Sequence, residues 1–400
     1  MAAPFVPPSS NHQKPEVPKW VPPPTTKLVT DWASLHTIEL SLLDSPDPAV
    51  VQKLLETTKV AIKEDGFLFL TNYGVSLEQL HRQFDLAQYL HRNITDEDKQ
   101  ELLWDPSTGV FAGFKPRYGW KREAGKHDGI EQFNFYSPEF ADHDRVPSCI
   151  RPFMDEITAF CEYLTTSVNR RLLRLLSMVL ELPPDYLWGF ASQDNVQSRN
   201  GVVGQGYFRH ALFYPLEGEH KAARKGVRMY GHTDYGTTTL LFSVPITALQ
   251  IWTKENKWKY VKYMPGALVV NIGETLEIIS GGQFKATLHK VAEPPEDQQH
   301  EQRLSLVLFN ASEGSMRLKP AMESPLLQRE GFVLKEGPFT RFKKLIDAGI
   351  PVPTNKEWRE ANISTRVQAA PEERLGGVKE IDGIKYGEDI ILGIPVVKPV

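Results

Sequence analysis

Cysteine is nearly absent from this chain: two thiols, Cys149 and Cys161, in 400 residues. That is too few for a disulfide framework, and without a C-x-x-C spacing the pair is neither a redox motif nor a metal knuckle. A reducing, cytoplasmic setting is expected. An excess of charge of one sign is equally lacking. Lys and Arg number 46 against 50 Asp and Glu, interspersed throughout, for a net charge of −4. Such a balance supplies no field that gathers nucleic acid or anionic lipid, so neither is expected as a partner. Met1 to Lys27 has no uninterrupted apolar core and reads as neither a secretory signal nor a membrane span.

What is present divides into four segments. Residues 1–27 carry Pro4, Pro7, Pro8, Pro15, Pro18 and the run Pro22-Pro23-Pro24, a composition that disfavours helix and strand and predicts a disordered arm. Residues 28–199 are predicted to be helical with a few strands. Apolar residues recur at helical spacing from Asp47 to Lys63, Gly66 breaks the pattern, and Phe67-Leu68-Phe69-Leu70 follows as a buried strand. Further helices are predicted from Leu77 to His91 and from Ile150 to Leu182, the latter stopped by Pro183-Pro184. Over 200–315 the texture changes to short apolar runs between turn residues: Arg228–Tyr230, Thr237–Ser243, Leu249–Thr253, Lys257–Lys262, Ala267–Ile272, Thr287–Ala292 and Arg303–Asn310. This spacing predicts a mainly β fold, a double-stranded β-helix or jelly roll flanked by the N-terminal helices. Residues 316–400 are expected to add a C-terminal helix and an apolar tail packed on that core.

The chemistry is concentrated in the β region. His232 and Asp234 stand two apart just beyond a strand, where extended backbone points both side chains to one face. With 11 histidines in the chain, about one His-x-Asp arises by chance, so the triplet alone decides nothing. His289, in the strand-like run Ala286 to Val291, supplies a third donor, because distant strands of a jelly roll pair as neighbours. Two imidazoles and one carboxylate on one side of an octahedron are the ligand set of non-haem Fe(II) oxygenases. A zinc hydrolase is the less suitable alternative, for no general-base carboxylate stands beside these ligands as H-E-x-x-H would provide.

Fourteen residues after His289, the run Arg303-Leu-Ser305-Leu-Val-Leu-Phe309 alternates with period two. Arg303 and Ser305 thus share a face with Val307 and Phe309. An arginine inside a core strand is costly unless it meets an anion, and its planar fork suits a carboxylate. A dicarboxylate that chelates the metal at one end and reaches Arg303 and Ser305 at the other satisfies both demands.

Taken together, His232-x-Asp234, the stretch Gly266 to Gly282 with Asn271 and Gly273, His289 and Arg303-x-Ser305 resemble the isopenicillin N synthase-like branch of the 2-oxoglutarate/Fe(II) dioxygenases, in a fungal-looking form. Asp65-Gly66-Phe67-Leu68-Phe69-Leu70-Thr71-Asn72-Tyr73-Gly74-Val75 is similar to that family's N-terminal strand. The resemblance implies iron ligation by His232, Asp234 and His289. It also implies 2-oxoglutarate held by Arg303, Ser305 and Tyr214, with O2 as oxidant and ascorbate in support. Leu212 stands where many plant members have Asn, and Tyr73 where His is usual. Gln132, Phe133, Asn134 and Phe135, whose family counterparts border the site, are candidate substrate contacts together with Tyr235. Phe114 and Tyr118 are further candidates. An aromatic pocket with a few amides suits a small, mostly apolar molecule, as in secondary metabolism. Two other functions fit the same residues: an iron oxidase of the isopenicillin N synthase kind that does without 2-oxoglutarate, and a jelly-roll binding protein without catalysis.

Overall fold

The computed structural model describes residues 3–9, 13–119, 121–122, 126–191, 205–335, 337–368, 378–381 and 384–399. All seven apolar runs read after Asn200 are strands, at Val227–His232, Thr238–Phe242, Leu249–Trp252, Trp258–Tyr260, Leu268–Ile272, His289–Ala292 and Arg303–Phe309. They divide between two sheets. The larger has eight strands in the order Thr37–Glu39, Phe67–Thr71, Leu268–Ile272, Thr238–Phe242, Arg303–Phe309, Tyr207–Phe213, Ile130–Phe135 and Gly113–Lys115. The smaller runs Trp258–Tyr260, Leu249–Trp252, His289–Ala292 and Val227–His232. Neighbours in space are far apart in sequence, which gives the jelly-roll core with N-terminal helices that the strand spacing predicts.

Register decides which side chains reach the space between the sheets. Arg303 lies across from Phe213, Ser305 from Ala211, Val307 from Arg209 and Phe309 from Tyr207. Ala211 and Arg209 in turn face Gln132 and Asn134. On the other side Phe309 faces Thr239, which faces Asn271. Because side chains alternate, one face of the large sheet gathers these polar groups. The opposite face presents Phe133, Phe135, Phe208, Leu240, Phe242, Leu304, Leu306 and Leu308 to the main hydrophobic core.

Helices cover that apolar face. Pro48–Glu64 starts with Asp47 accepting from the Ala49 amide and Pro48 at the first position, and Leu77–Asn93 starts with a capping box between Ser76 and Gln79; both are strong N-terminal signals. The long run read as one helix is Met154–Tyr163 and Arg170–Val179 joined by a π-helical segment, Leu164–Asn169. The buried Asn169 Oδ1 there accepts from the Thr238 hydroxyl at 2.7 Å, tying this helix to the sheet.

The described part of the N-terminal arm corrects the expectation of disorder. Phe5 is 7% exposed, packs edge-on against Phe160 with ring centres 5.4 Å apart and donates its amide to Gly74 O at 2.8 Å. Trp20 stacks on Phe84 at 4.3 Å and donates its amide to Asp85 Oδ1 at 2.6 Å. Lys14 pairs with Glu156 at 2.8 Å. Proline keeps such a strand extended and lowers the entropy lost on docking, so two aromatic anchors suffice to seat it. Composition alone overlooked those anchors.

At the C-terminus, Pro338–Asp347 and Asn355–Gln368 are helices, and Val378–Ile381, Ile384–Ile391 and Ile394–Pro399 form a separate three-stranded sheet. Ile391, Ile394 and Val396 close a small core with Leu318, Phe342 and Trp358. Among the described residues no helix is long and apolar enough to cross a membrane.

Candidate active site

His232 ends one strand of the small sheet and His289 begins its neighbour, so the two are paired directly across the ladder. Their rings lie 4.4 Å apart between centres. Asp234 follows two residues after His232, in the loop that leaves the sheet. Its Oδ1 is 3.7 Å from His232 Nε2 and its Oδ2 is 3.8 Å from His289 Nε2. One donor atom from each of the three residues lies within 4.8 Å of the others, the one such cluster among the described residues.

The surroundings fix which atoms face inward. Nδ1 of His232 is 2.9 Å from Tyr230 O, and Nδ1 of His289 is 3.1 Å from Thr287 O. A carbonyl can only accept, so each Nδ1 carries a proton, and Nε2 is the ring nitrogen that faces Asp234 and can serve as a metal ligand. Asp234 Oδ2 accepts from the Thr239 hydroxyl at 2.6 Å and from Asn271 Nδ2 at 2.8 Å. Burial works against the charged carboxylate, but His289, His232, Thr239 and Asn271 outweigh it and hold the group below its usual range. Two imidazole nitrogens and a carboxylate on one side of a cavity fit a divalent transition metal with open positions.

Close backbone packing keeps this loop in place. A Cβ on Gly236 would stand 2.1 Å from Asn310 O, and one on Gly273 would stand 2.2 Å from Gly236 O. Glu274 receives the Thr233 hydroxyl at 2.5 Å on Oε1 and the Trp358 indole N–H at 3.0 Å on Oε2. The residue between His232 and Asp234 is thereby linked to the C-terminal helix.

Arg303 and Ser305 lie on the site-facing side of the large sheet, as their alternation predicts. Arg303 is 3% exposed, its Nε has no hydrogen-bond partner, and its guanidinium rests over the Phe213 ring at 5.3 Å. Burial first, and then the like charge of Arg228, push it down to about 10, still a cation at neutral pH. Arg228 is 1% exposed and donates to the Glu301 and Gln299 carbonyls at 3.2 and 3.0 Å. Two buried guanidinium groups within electrostatic reach of each other, with Arg303 in no ion pair among the described residues, call for an anion that those residues do not supply. Arg228 escaped the sequence reading, although its place two strand positions before Tyr230 and four before His232 puts it on their face.

Tyr214 is not on that face. Its amide continues the ladder to Gly129 O at 2.9 Å, so its side chain alternates away from Phe213, and Arg117 covers its ring at 4.3 Å. Phe213 takes the position opposite Arg303. The same alternation separates the substrate candidates. Gln132 and Asn134 face the site, whereas Phe133 and Phe135 are fully buried in the helix-covered core, where Phe114, paired with Phe133, joins them. Tyr118 has φ of +67° and sits under Arg117, outside the cleft lining. Tyr73, found where His is usual, is buried and donates to Gly266 O at 3.0 Å, a structural role.

A cleft of about 1150 Å³, counted to its open mouth, reaches this centre. His232, Asp234 and Tyr235 lie at one part of its wall; Gln132, Tyr207, Arg209 and Phe309 come from the large sheet, and Arg359 and Ile363 from the helix Asn355–Gln368. Sequence reading missed Arg209, Phe309 and Arg359 as wall residues. The strand Tyr207–Phe213 has a legible alternation that points Arg209 inward, but nothing local marks Arg359.

Comparison with known proteins agrees with this geometry. The signature of the 2OG-Fe(II) oxygenase superfamily matches residues 207–312, and that of the non-haem dioxygenase in morphine synthesis N-terminal region matches residues 35–152. A 2-oxoglutarate-dependent dioxygenase of Gibberella zeae is 26% identical over 308 residues, which cover 76% of this chain and 87% of that one. Leucoanthocyanidin dioxygenase of Vitis vinifera is 25% identical over 262 residues, 64% of this chain and 68% of the relative. Among solved structures, a full-length Neurospora crassa protein in complex with alpha-KG and thymine superposes with a TM-score of 0.61 at 17% identity, over 79% of this chain and 97% of that one. JOX2 in complex with 2OG, Fe and JA gives 0.60 at 18% identity, over 86% and 93%.

Proposed function

This chain belongs to the 2OG-Fe(II) oxygenase superfamily, and from that premise we propose that His232, Asp234 and His289 hold Fe(II) while Arg303 and Ser305, with Arg228 beside them, anchor the distal carboxylate of 2-oxoglutarate. The enzyme is an Fe(II)- and 2-oxoglutarate-dependent dioxygenase. When bound, the iron and its co-substrate couple O2 reduction and decarboxylation of 2-oxoglutarate to succinate and CO2 with oxidation of a substrate C–H bond.

The chain's own part is placement. Thr239 and Asn271 orient the Asp234 carboxylate, and the Tyr230 and Thr287 carbonyls orient the two imidazoles. The single observation that carries the co-substrate reading is the buried Arg303 guanidinium, which has no anionic partner among the described residues. Its fork and charge suit a carboxylate entering between the sheets. The prime substrate is a small organic molecule, in line with the small ligands named for the structural relatives, thymine and JA. It lies against Gln132, Tyr235 and Phe309 in the cleft wall, and an aromatic wall with a few amides suits the small molecules of secondary metabolism.

Succinate release measured with Fe(II), ascorbate and 2-oxoglutarate, in the presence of fractionated metabolite extract, tests this reading. The expected result is Fe(II)-dependent succinate formation, stimulated by one fraction whose component gains oxygen or loses hydrogen by mass spectrometry, and absent from His232→Ala. Oxygen uptake without succinate would point instead to an oxidase that does without 2-oxoglutarate, and the absence of both would reject the reading.

A further inference from the structure

The cleft carries more cationic charge than the described residues balance. Its acidic wall residues are Asp128 and Asp234. Asp128 receives Lys115 Nζ at 2.5 Å, and Asp234 faces the two imidazoles. Arg209 and Arg359 are left with neutral partners. Arg209 donates from Nε to Asn134 Oδ1 at 2.7 Å and from Nη2 to the Tyr207 hydroxyl at 3.2 Å. Arg359 donates from Nη1 to the Gln205 carbonyl; it is 6% exposed, and its Nε is buried without a partner. Neither forms an ion pair among the described residues. A guanidinium held this way in a concave site is poised for an anion.

That anion is distinct from the co-substrate. Arg209 faces Val307, four residues along the strand from Arg303, a separation of about 13 Å at the usual rise. Beside Arg209 the wall is flat and aromatic. Tyr136 stacks on Tyr207 with centres 4.6 Å apart and planes at 16°. Tyr207 stacks on Phe309 at 4.7 Å and 26°, and the Arg209 guanidinium lies over Phe309 at 5.0 Å. Tyr207 is thus enclosed between Tyr136 and Phe309, which leaves the half-buried Phe309 at the end of the stack to meet a planar apolar body, while the Arg209 and Arg359 guanidinium groups, both in the cleft lining and both acting on the Tyr136 hydroxyl, meet its charged end.

We infer that the prime substrate is an organic carboxylate with a planar apolar body, its carboxylate held by Arg209 and Arg359 and its body laid against Phe309 towards His232 and Asp234. This rests on the reading of the cleft as the substrate site of the oxygenase and adds the charge and shape of what enters it. Tyr235 and Gln132 also line the cleft and are left to meet the uncharged end.

Isothermal titration calorimetry with trans-cinnamate and 1-naphthoate against cinnamamide and 1-naphthamide tests it. The full chain is used in two series, one anaerobic with Fe(II) and 2-oxoglutarate, the other with neither. Each acid is expected to bind about ten-fold or more tightly than its amide, the usual worth of a charge-assisted hydrogen bond. Arg209→Gln and Arg359→Gln each remove that preference, the acid losing more affinity than its amide, and Arg359→Lys, which keeps the charge, retains part of it. Equal affinity of acid and amide for the wild type, no binding of either acid, or a preference that survives in Arg209→Gln overturns the inference. Failure of the oxygenase reading shows separately, as a protein that releases no succinate yet keeps the acid preference in the metal-free series.

Discussion

The Thr239 hydroxyl donates to Asp234 Oδ2 at 2.6 Å, and Asn271 donates to the same oxygen at 2.8 Å, so one carboxylate oxygen of the Asp234 side chain is anchored twice by the large sheet while the histidines come from the small one. The metal centre thus spans both sheets. Thr239→Val keeps the shape of the side chain and removes the donor. It is expected to weaken Fe(II) binding roughly ten- to hundred-fold, read by anaerobic calorimetry, with little change in fold. Asp234→Ala abolishes binding. Equal affinity in wild type and Thr239→Val would show that the anchor does not tune the metal.

Arg303 offers a sharper test, because its two roles predict opposite signs. As a buried cation with no ion pair among the described residues it destabilises the empty protein, so Arg303→Met leaves the melting temperature of the metal-free chain unchanged or raises it. As the carboxylate anchor it is needed for the co-substrate, so the same variant loses affinity for 2-oxoglutarate by roughly ten- to hundred-fold while Fe(II) binding persists. A variant that melts lower and binds 2-oxoglutarate normally would make Arg303 a structural residue.

Gly236→Ala places a methyl group where the Asn310 carbonyl now stands, 2.1 Å from the new carbon. The loop carrying Asp234 must shift to admit it. A stability loss of about 1–3 kcal/mol is expected, measured by denaturant titration, together with weaker Fe(II) binding. An unaltered metal affinity would mean that the loop position is not set by this contact.

How much of this was legible from residues alone follows from where the information sits. The alternation of Arg303 to Phe309 correctly assigned the faces of that strand, because one side of it is buried against helices and a slip of one residue would exchange every side chain. Applied to Ile130–Phe135 the same rule would have kept Gln132 and Asn134 and excluded Phe133 and Phe135; the aromatic rings suggested a pocket but fill the core. Tyr214 was carried over by motif, whereas the ladder with Gly129 turns it away. Arg359 lies on a helix 127 residues after His232, and only the fold brings it to the cleft. The arm's Phe5 and Trp20 were masked by the prolines around them.

His210 predicts a pH dependence with a definite sign. It is fully buried beside Phe135 and Phe208, and burial, aided by His91, pushes it from 6.5 down to about 3. Above 6.5 the ring is neutral in folded and unfolded chains alike and contributes nothing. Between 6.5 and about 3 the unfolded chain takes up a proton that the folded one refuses, so stability falls as acid is added. His210→Leu is expected to flatten that part of the melting temperature against pH curve. An unchanged acid slope would assign it to other groups.

The hydrogen-bond chain from Trp358 through Glu274 to Thr233 joins two parts of the cleft that are otherwise remote in sequence. The helix Asn355–Gln368, which brings Arg359 to the cleft wall, and the residue between the two ligands His232 and Asp234 share one buried carboxylate. The position of the helix in the cleft wall and that of the metal-binding loop are therefore set against each other through Glu274, and a change in either one strains the same pair of hydrogen bonds.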